Sequence, residues 1–486
     1  MVDSQLSARA LESLLGDWRG GGNAYVALFD RIRVLALDGR IPTDSRLPAE
    51  RELSARLGLS RTTVSAAYRQ LREAGFLVSQ RGSGSLITLP VTPTGLVSVA
   101  SAGILDFGKA TMSALPGLAD VAALAVSDLP RHLESSGFDP VGIPELRLAI
   151  ADRYTARGLP TDPQQIMVTI GAQHAISLLA HVLVGRGDRA LIESPTYPHA
   201  YEALREAGAR LVPVSVTPAM LGEDESVAGW DEDGLIQAIQ RSNPALGYLM
   251  PDFHNPTGLS MPAAQRERVL AAATRQGTVL IADETIAELN IDRPESFLPF
   301  AAYAPAGSTG SVVSVGSVGK TVWGGLRVGW IRAERPLIRK LVAARSARDL
   351  GTPIIDQLIV ARLLGDMPAI LAERTEVLRA GRDHLTQALA TQFPDWHVPE
   401  VHGGITTWVN LGSPVSSQLS LAARSQGLVI PAGPRFGIDG AFERFLRIPF
   451  CYGFDEIDRG VAALGRAWES LLRHPVPETD YLADVV

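Results

Sequence analysis

Cysteine is almost absent. The 486 residues contain one, Cys451, which excludes an intrachain disulfide framework and any cysteine-cluster zinc site; no metal site is expected. No apolar run approaches the ~20 residues that a helix needs to cross a bilayer, and the stretch 175–184 is too short and carries His181. No basic start followed by an apolar core opens the sequence, so no secretory signal is read. The expected location is the cytoplasm, with no membrane partner. Lysine is scarce as well. Of 45 basic residues only three are lysines, Lys109, Lys320 and Lys340. A chain that places arginine wherever a cation serves would keep lysine where only a primary amine will do.

What is present is globular in character. Apolar residues make up 46% and charged residues 20%, enough to bury a large core and too apolar for a disordered chain. At roughly 150 residues per domain the length suggests about three domain-sized units. The formal charge of −7 is unevenly spread. Residues 30–85 hold ten arginines and six acidic residues, a local +4 that leaves −11 for the remainder. That balance points to an anionic partner for the N-terminal module alone.

After an arm over 1–24, expected to be helical, residues 25–88 read as three helices and a hairpin. Tyr25, Leu28, Phe29, Ile32 and Leu35 form a helical stripe. Pro48 suits the first turn of a second helix, which Gly58 ends. Ser60 is a good N-cap for the third, whose inward residues are Val64, Ala67, Tyr68 and Leu71. Two helices so tightly joined form a helix-turn-helix, and the Gly-rich tip at 80–84 joins two short strands. The outward side of the third helix carries Arg61, Thr62, Thr63 and Ser65 at its N-terminal end, where a recognition helix meets base edges and phosphates. A solvated helix face beside a surface hairpin is the plain alternative. The run LPAERELSARLGLSRTTVSAAYRQLREAGFLVSQRGSGS resembles the GntR family of winged helix-turn-helix regulators. That resemblance implies double-stranded DNA as partner, with Arg51, Ser60, Arg61, Thr62, Thr63, Ser65 and the wing residue Gly82 as contacts.

Residues 89–103 are small, proline-bearing and uncharged, an expected linker. From 104 to 475 strand-like and helix-like segments alternate, before a tail at 476–486. Buried strands separated by helices of 10–15 residues predict an α/β domain with a mainly parallel sheet. Ligands then bind beyond the carboxyl ends of the strands. Gly171-Ala172-Gln173 follows one strand and opens a helix; it suits a phosphate, or is simply a tight turn. Asn255-Pro-Thr-Gly258 could be only a turn, and Asp283 only a helix cap. Ser317-Val-Gly-Lys320 follows a further strand, with Arg327 seven residues on. Gly316–Thr321 looks like a nucleotide P-loop, but that motif needs glycine at 314, which is serine.

Together these segments resemble the fold-type I pyridoxal-phosphate (aminotransferase-like) superfamily. The resemblance implies Lys320 as the Schiff-base lysine, a role arginine cannot fill, and Asp283 against the pyridine nitrogen. Gly171, Ala172 and Gln173 would hold the phosphate with Ser317 and Arg327. Asn255 would donate to the ring hydroxyl, Tyr197 would stack on the ring, and Arg447, in Leu446-Arg-Ile-Pro, would fork an effector's α-carboxylate. Two departures stand out. Thr285 and Ile286 sit where a ring-tuning tyrosine usually does, and Phe138 where a second tyrosine reaches the partner subunit.

A GntR-like module ahead of such a domain resembles the MocR subfamily of bacterial transcription regulators. This implies a homodimeric regulator that binds pyridoxal 5'-phosphate and an amino-acid or amine effector. The competing reading is a working aminotransferase with an accessory DNA-binding module. The missing phenols and the intact winged helix count against it.

Overall fold

The computed structural model describes residues 6–16, 18, 23–37, 40–41, 45–80, 84–88, 103–217, 229–308, 310–438 and 440–473. Gly82, nearly all of the linker and the tail lie outside these residues.

In the N-terminal module the helices span Ala24–Leu37, Glu50–Leu57 and Arg61–Glu73. Gly58 ends the second at φ 63, the left-handed conformation that glycine adopts without a Cβ penalty. The Ser60 side chain caps the third, accepting from the Thr63 amide at 3.1 Å. The four inward residues named for that helix are all buried. Pro48 behaves differently from expectation: it lies outside the helix, ahead of its N-cap Ala49. Its carbonyl instead accepts the buried Tyr68 hydroxyl at 2.9 Å. The strands Leu77–Gln80 and Gly84–Ile87 pair antiparallel, and Arg46–Leu47 adds a third strand beside the latter. The arm contributes one helix, Ala8–Leu15, whose Leu11 and Leu15 are fully buried in the module's core.

The large domain is built on an eight-stranded mixed sheet. Its order is Ile166–Thr169, Gly329–Arg332, Val312–Ser317, Val279–Asp283, Leu246–Leu249, Arg189–Ser194, Arg210–Thr217, Gly229–Trp230. The five strands from Val312–Ser317 to Arg210–Thr217 run parallel, as the alternating pattern predicts. Gly329–Arg332 runs antiparallel to both neighbours. That strand matters for the site. Because it starts where its parallel neighbours end, Arg327 is returned to the same sheet edge as Ser317. A second apolar core lies between the helices Met367–Gln392 and Phe454–Arg473 and the strand pair Thr406–Asn410 and Phe445–Pro449.

Among the described residues, an ion pair joins the module to the large domain. Arg31 contacts Glu443 at 2.8 Å and donates to the Leu15 carbonyl at 2.8 Å. The Glu443 carboxylate also takes the Ser417 amide and hydroxyl at 3.0 and 2.8 Å.

Because the arm helix shares the module's core, Leu11→Ala should cost roughly 2–5 kcal/mol. The expected result is lost hydrogen-exchange protection in Ala24–Leu37 and Glu50–Leu57, with exchange in the eight-stranded sheet unchanged.

Candidate functional site

The residues singled out from the sequence converge at one edge of the sheet, the edge where the parallel strands end. Asp283 is the last residue of its strand and is buried. Its Oδ2 accepts the Tyr248 hydroxyl at 2.6 Å and its Oδ1 accepts the Thr285 amide at 3.0 Å. Burial pushes this carboxyl up, while those hydrogen bonds and the Lys320 charge pull it down.

Lys320 lies just beyond the strand Val312–Ser317 and its amine donates to the Ala110 carbonyl. Burial holds the amine below its ordinary value; the nearby Arg447 charge lowers it further, while Cys451 and Asp283 oppose. Cys451 itself stays a thiol, pushed up to about 11 by burial. The Tyr197 phenol is pushed up to about 12, chiefly by burial and then by Asp283, with Arg327 and Arg447 opposing. Five of the predicted residues are thus within one another's electrostatic reach.

The phosphate end is equally local. Gly171, at φ 78, caps the helix Ala172–Leu183, so the first amides of that helix have no intrahelical acceptor. A side chain at 171 would sit 3.0 Å from the Arg327 guanidinium. Arg327 takes φ 51, a costly conformation for a non-glycine residue, and donates to the Ile170 carbonyl at 3.2 Å. The Ser317 hydroxyl is turned inward, donating to Val328 O at 3.1 Å and accepting from the Gly319 amide at 3.0 Å. Gln173 reaches sideways to the His199 carbonyl at 3.2 Å. Among the described residues named for this site, the buried polar atoms Gln173 Oε1, Asn255 Oδ1 and Arg447 Nε lack a partner. Free amides beside an arginine, a carboxylate facing a lysine and an unsatisfied amide side chain fit a phosphorylated pyridine aldehyde.

Arg447 sits on Phe445–Pro449, over the Phe436 ring at 5.3 Å. Its Nη2 donates to the Phe107 and Gly108 carbonyls, both at 2.8 Å. Burial lowers its pKa to about 10, with Cys451 and Tyr452 opposing. The segment 106–113 therefore receives donors from several directions. Tyr452 donates to Asp106 O at 2.6 Å, and Arg374 to Ser113 O at 2.8 Å. Arg374 also holds the Thr321 and Val322 carbonyls, each at 2.8 Å, so it ties this segment to the lysine loop.

Sequence reasoning missed Tyr248 and Arg374, and also the buried post behind Asn255. There His254 lies 3.3 Å from Glu193, which accepts the Trp230 indole at 2.7 Å and the Met250 amide at 2.9 Å. A buried carboxylate in a strand of otherwise apolar inward residues was the available signal for Glu193. Nothing in the local pattern marks Tyr248 or Arg374.

In the helix-turn-helix of the N-terminal module, Arg51, Ser60, Arg61 and Thr62 are exposed and Thr63 and Ser65 half-buried. The hydroxyls of Thr62 and Thr63 each lie 2.7 Å from Ser60 Oγ. Among the described residues no helix is long and apolar enough to cross a membrane, and no group of three or more His, Cys, Asp or Glu side chains could hold a metal ion.

Comparison with known proteins gives two family matches. Residues 115–464 match the family described as aminotransferase class I and II, and residues 24–87 match the bacterial regulatory proteins of the gntR family. The HTH-type transcriptional regulator TauR of Rhodobacter capsulatus is 27% identical, over 92% of this chain and 97% of its own. The probable rhizopine catabolism regulatory protein MocR of Rhizobium meliloti is 31% identical, over 63% of this chain and 64% of its own. Among solved structures, LysN, an alpha-aminoadipate aminotransferase of Thermus thermophilus complexed with N-(5'-phosphopyridoxyl)-L-leucine, superposes with a TM-score of 0.68. It is 28% identical and covers 76% of this chain and 94% of its own.

The lowered Lys320 amine has a measurable consequence. Between its folded pKa and the ordinary 10.5 the unfolded chain binds the extra proton, so this group's contribution to stability rises with pH across that window. Competitive reductive methylation read by mass spectrometry should give Lys320 a labelling midpoint below 10.5. A midpoint at or above that value would remove the assignment of a neutral amine.

Proposed function

The chain belongs to the aminotransferase class I and II family and carries a gntR-family regulatory domain ahead of it. From that premise we propose that it is a MocR-type transcription regulator, in which a cofactor-binding site of aminotransferase descent senses an effector and a winged helix binds DNA. What carries this reading is the coexistence of both halves on one chain. The end-to-end match to a helix-turn-helix regulator accompanies a recognition helix with its cap intact, and the large-domain residues converge on one pocket.

Its cofactor is pyridoxal 5'-phosphate, which when bound supplies an aldehyde for a primary amine and an electron-withdrawing ring. The residues divide the work of holding it. Lys320 presents an amine whose proton is easily lost. Asp283 would face the ring nitrogen, and the hydrogen bonds it accepts favour its charged form against the burial that raises it. The amides of Gly171, Ala172 and Gln173 and the Arg327 guanidinium take the phosphate, and Ser317 joins them once its hydroxyl turns from Val328. Asn255 donates to the ring hydroxyl and Tyr197 covers the ring face.

Arg447 receives the carboxylate of an amino-acid-like effector. That carboxylate competes with the Phe107 and Gly108 carbonyls for the same Nη2 donor. Both kinds of bond have a charged donor, but only the carboxylate adds an ion pair and can also take the unpartnered Nε, so in this reading it draws the guanidinium from the backbone at 107–108. This segment lies at the large-domain end of the linker, so its release changes the tether to the winged helix. The ligand shifts the population of DNA-competent molecules by its differential affinity for the two states. The protein acts in the cytoplasm as a homodimer whose two modules meet two half-sites on DNA.

Two experiments test the reading. Purified protein should be yellow, and Lys320→Ala should abolish the visible band while leaving operator binding intact. Arg61→Ala and Arg51→Ala should do the reverse, and wild-type affinity should fall steeply with salt. Failure of the full chain to bind its own gene's upstream region would sink the regulator assignment.

The second separates sensor from enzyme. With Thr285 and Ile286 in place of a phenol, incubation with amino acids and a keto-acid acceptor should change the visible spectrum without sustained keto-acid release. Repeated turnover at about 1 per second or faster would favour the aminotransferase instead.

A further inference from the structure

Tyr248 is absorbed by none of the roles above, yet it makes a short side-chain contact in the site. The strands Leu246–Leu249 and Val279–Asp283 pair in parallel, with Tyr248 opposite Ile281. Side chains two residues apart on a strand share a face, so Tyr248 lies on the Asp283 side of the sheet. Its hydroxyl ends 2.6 Å from Asp283 Oδ2, and the tyrosine is 1% exposed. The other oxygen, Oδ1, is fixed by the Thr285 amide. An ionised carboxylate offers about four lone-pair sites, so two remain for a ligand once its plane has been set by these two donors.

We infer that Tyr248 is a positioning residue for the cofactor's ring nitrogen, holding the Asp283 carboxylate ionised and in plane toward that nitrogen. This rests on the cofactor reading given above. The phenol must be the donor, because a carboxylate that carries charge can only accept. Burial also drives the Tyr248 phenol well above its ordinary value, so the shared proton stays on the tyrosine. Burial raises the 283 acid even with this hydrogen bond in place; losing the bond would move it further toward the neutral form, which gives up its charge-assisted bond to a protonated ring. The job differs from that of the phenol missing at 285–286. Tyr248 acts on the aspartate, from the strand behind it.

The competing account is that Tyr248 fills the core and its hydroxyl is merely satisfied. The two accounts part on an analogue that lacks the ring nitrogen. Wild-type apoprotein and Tyr248→Phe would each be titrated with pyridoxal 5'-phosphate and with its 1-deaza analogue, in which a C–H replaces that nitrogen. Wild type should bind the natural cofactor more tightly, and Tyr248→Phe should shrink that preference by about tenfold. Equal weakening for both compounds, with the ratio unchanged, would mean a purely structural role and overturns the inference. If Tyr248→Phe does not fold, Tyr248→3-fluorotyrosine keeps the volume and donates more strongly. Its ratio should then exceed the wild-type ratio, and an unchanged ratio again overturns the inference. A wild-type protein that binds the cofactor without any preference for the ring nitrogen would instead refute the placement of Asp283 and take this inference with it.

Discussion

A carboxylate sealed at the end of a central strand must keep its charge, and much of the site is arranged around that demand. Burying an unpaired ion is so unfavourable that the group would take up a proton instead. Asp283 accepts from the Tyr248 hydroxyl and the Thr285 amide and lies in the field of Lys320. The same burial lowers the Lys320 amine and raises the Tyr197 phenol. Burial thus pulls both groups toward their neutral forms, raising the Asp283 acid and lowering the Lys320 amine, while the bonds from Tyr248 and Thr285 oppose it at the acid. A neutral amine is the form that adds to an aldehyde, and those hydrogen bonds favour the carboxylate that would face a pyridine nitrogen.

The cationic side of the pocket obeys the converse rule. Arg447 and Arg374 are buried guanidiniums, and backbone carbonyls provide their partners: Phe107 and Gly108 for the first, Ser113, Thr321 and Val322 for the second. Segment 106–113 is therefore held in part by Arg447, the group proposed to meet a ligand. On the far side, the strand bearing Arg447 begins two residues after Glu443, which pairs with Arg31 of the N-terminal module. The ion pair lies four residues from Arg447, and the carbonyls that Arg447 holds lie four to five residues from the linker end at 103. Coupling between the two sites then needs no long pathway through the sheet.

Much of this was legible in the sequence because the chemistry restricts residue type. Lys320 stood out in a chain nearly free of lysine, and Ser60 and Gly58 bounded their helices by side-chain capping and by freedom at positive φ. The parallel strands were readable from short apolar runs alternating with amphipathic helices. The antiparallel strand Gly329–Arg332 was not, because four buried residues carry no period that distinguishes strand direction. Arg46–Leu47 was too short to leave a pattern. Pro48 lies two positions before the first helical residue and not in the first turn, since proline fits equally before a helix and in its first turn. Tyr248 and Arg374 acquire meaning only from register and helix packing, long-range facts that no local window holds.

The same pocket could serve an enzyme or a switch, and the difference lies in the step after binding. Proton transfer needs a group with tuned basicity at fixed distance from the reacting atom; a switch needs only unequal affinity for two conformations. Thr285 and Ile286 stand where the resemblance implies one such tuning group, whereas the residues proposed to secure the cofactor's ring and an effector's carboxylate are kept. Selection for binding alone would preserve Asp283, Lys320, Arg327 and Arg447 and relax the phenol. In the proposed reading, a ligand that drew Nη2 of Arg447 from the Phe107 and Gly108 carbonyls would bind at a cost. In an enzyme that cost would weaken substrate binding to no purpose, but in a sensor the displaced segment would itself be the output.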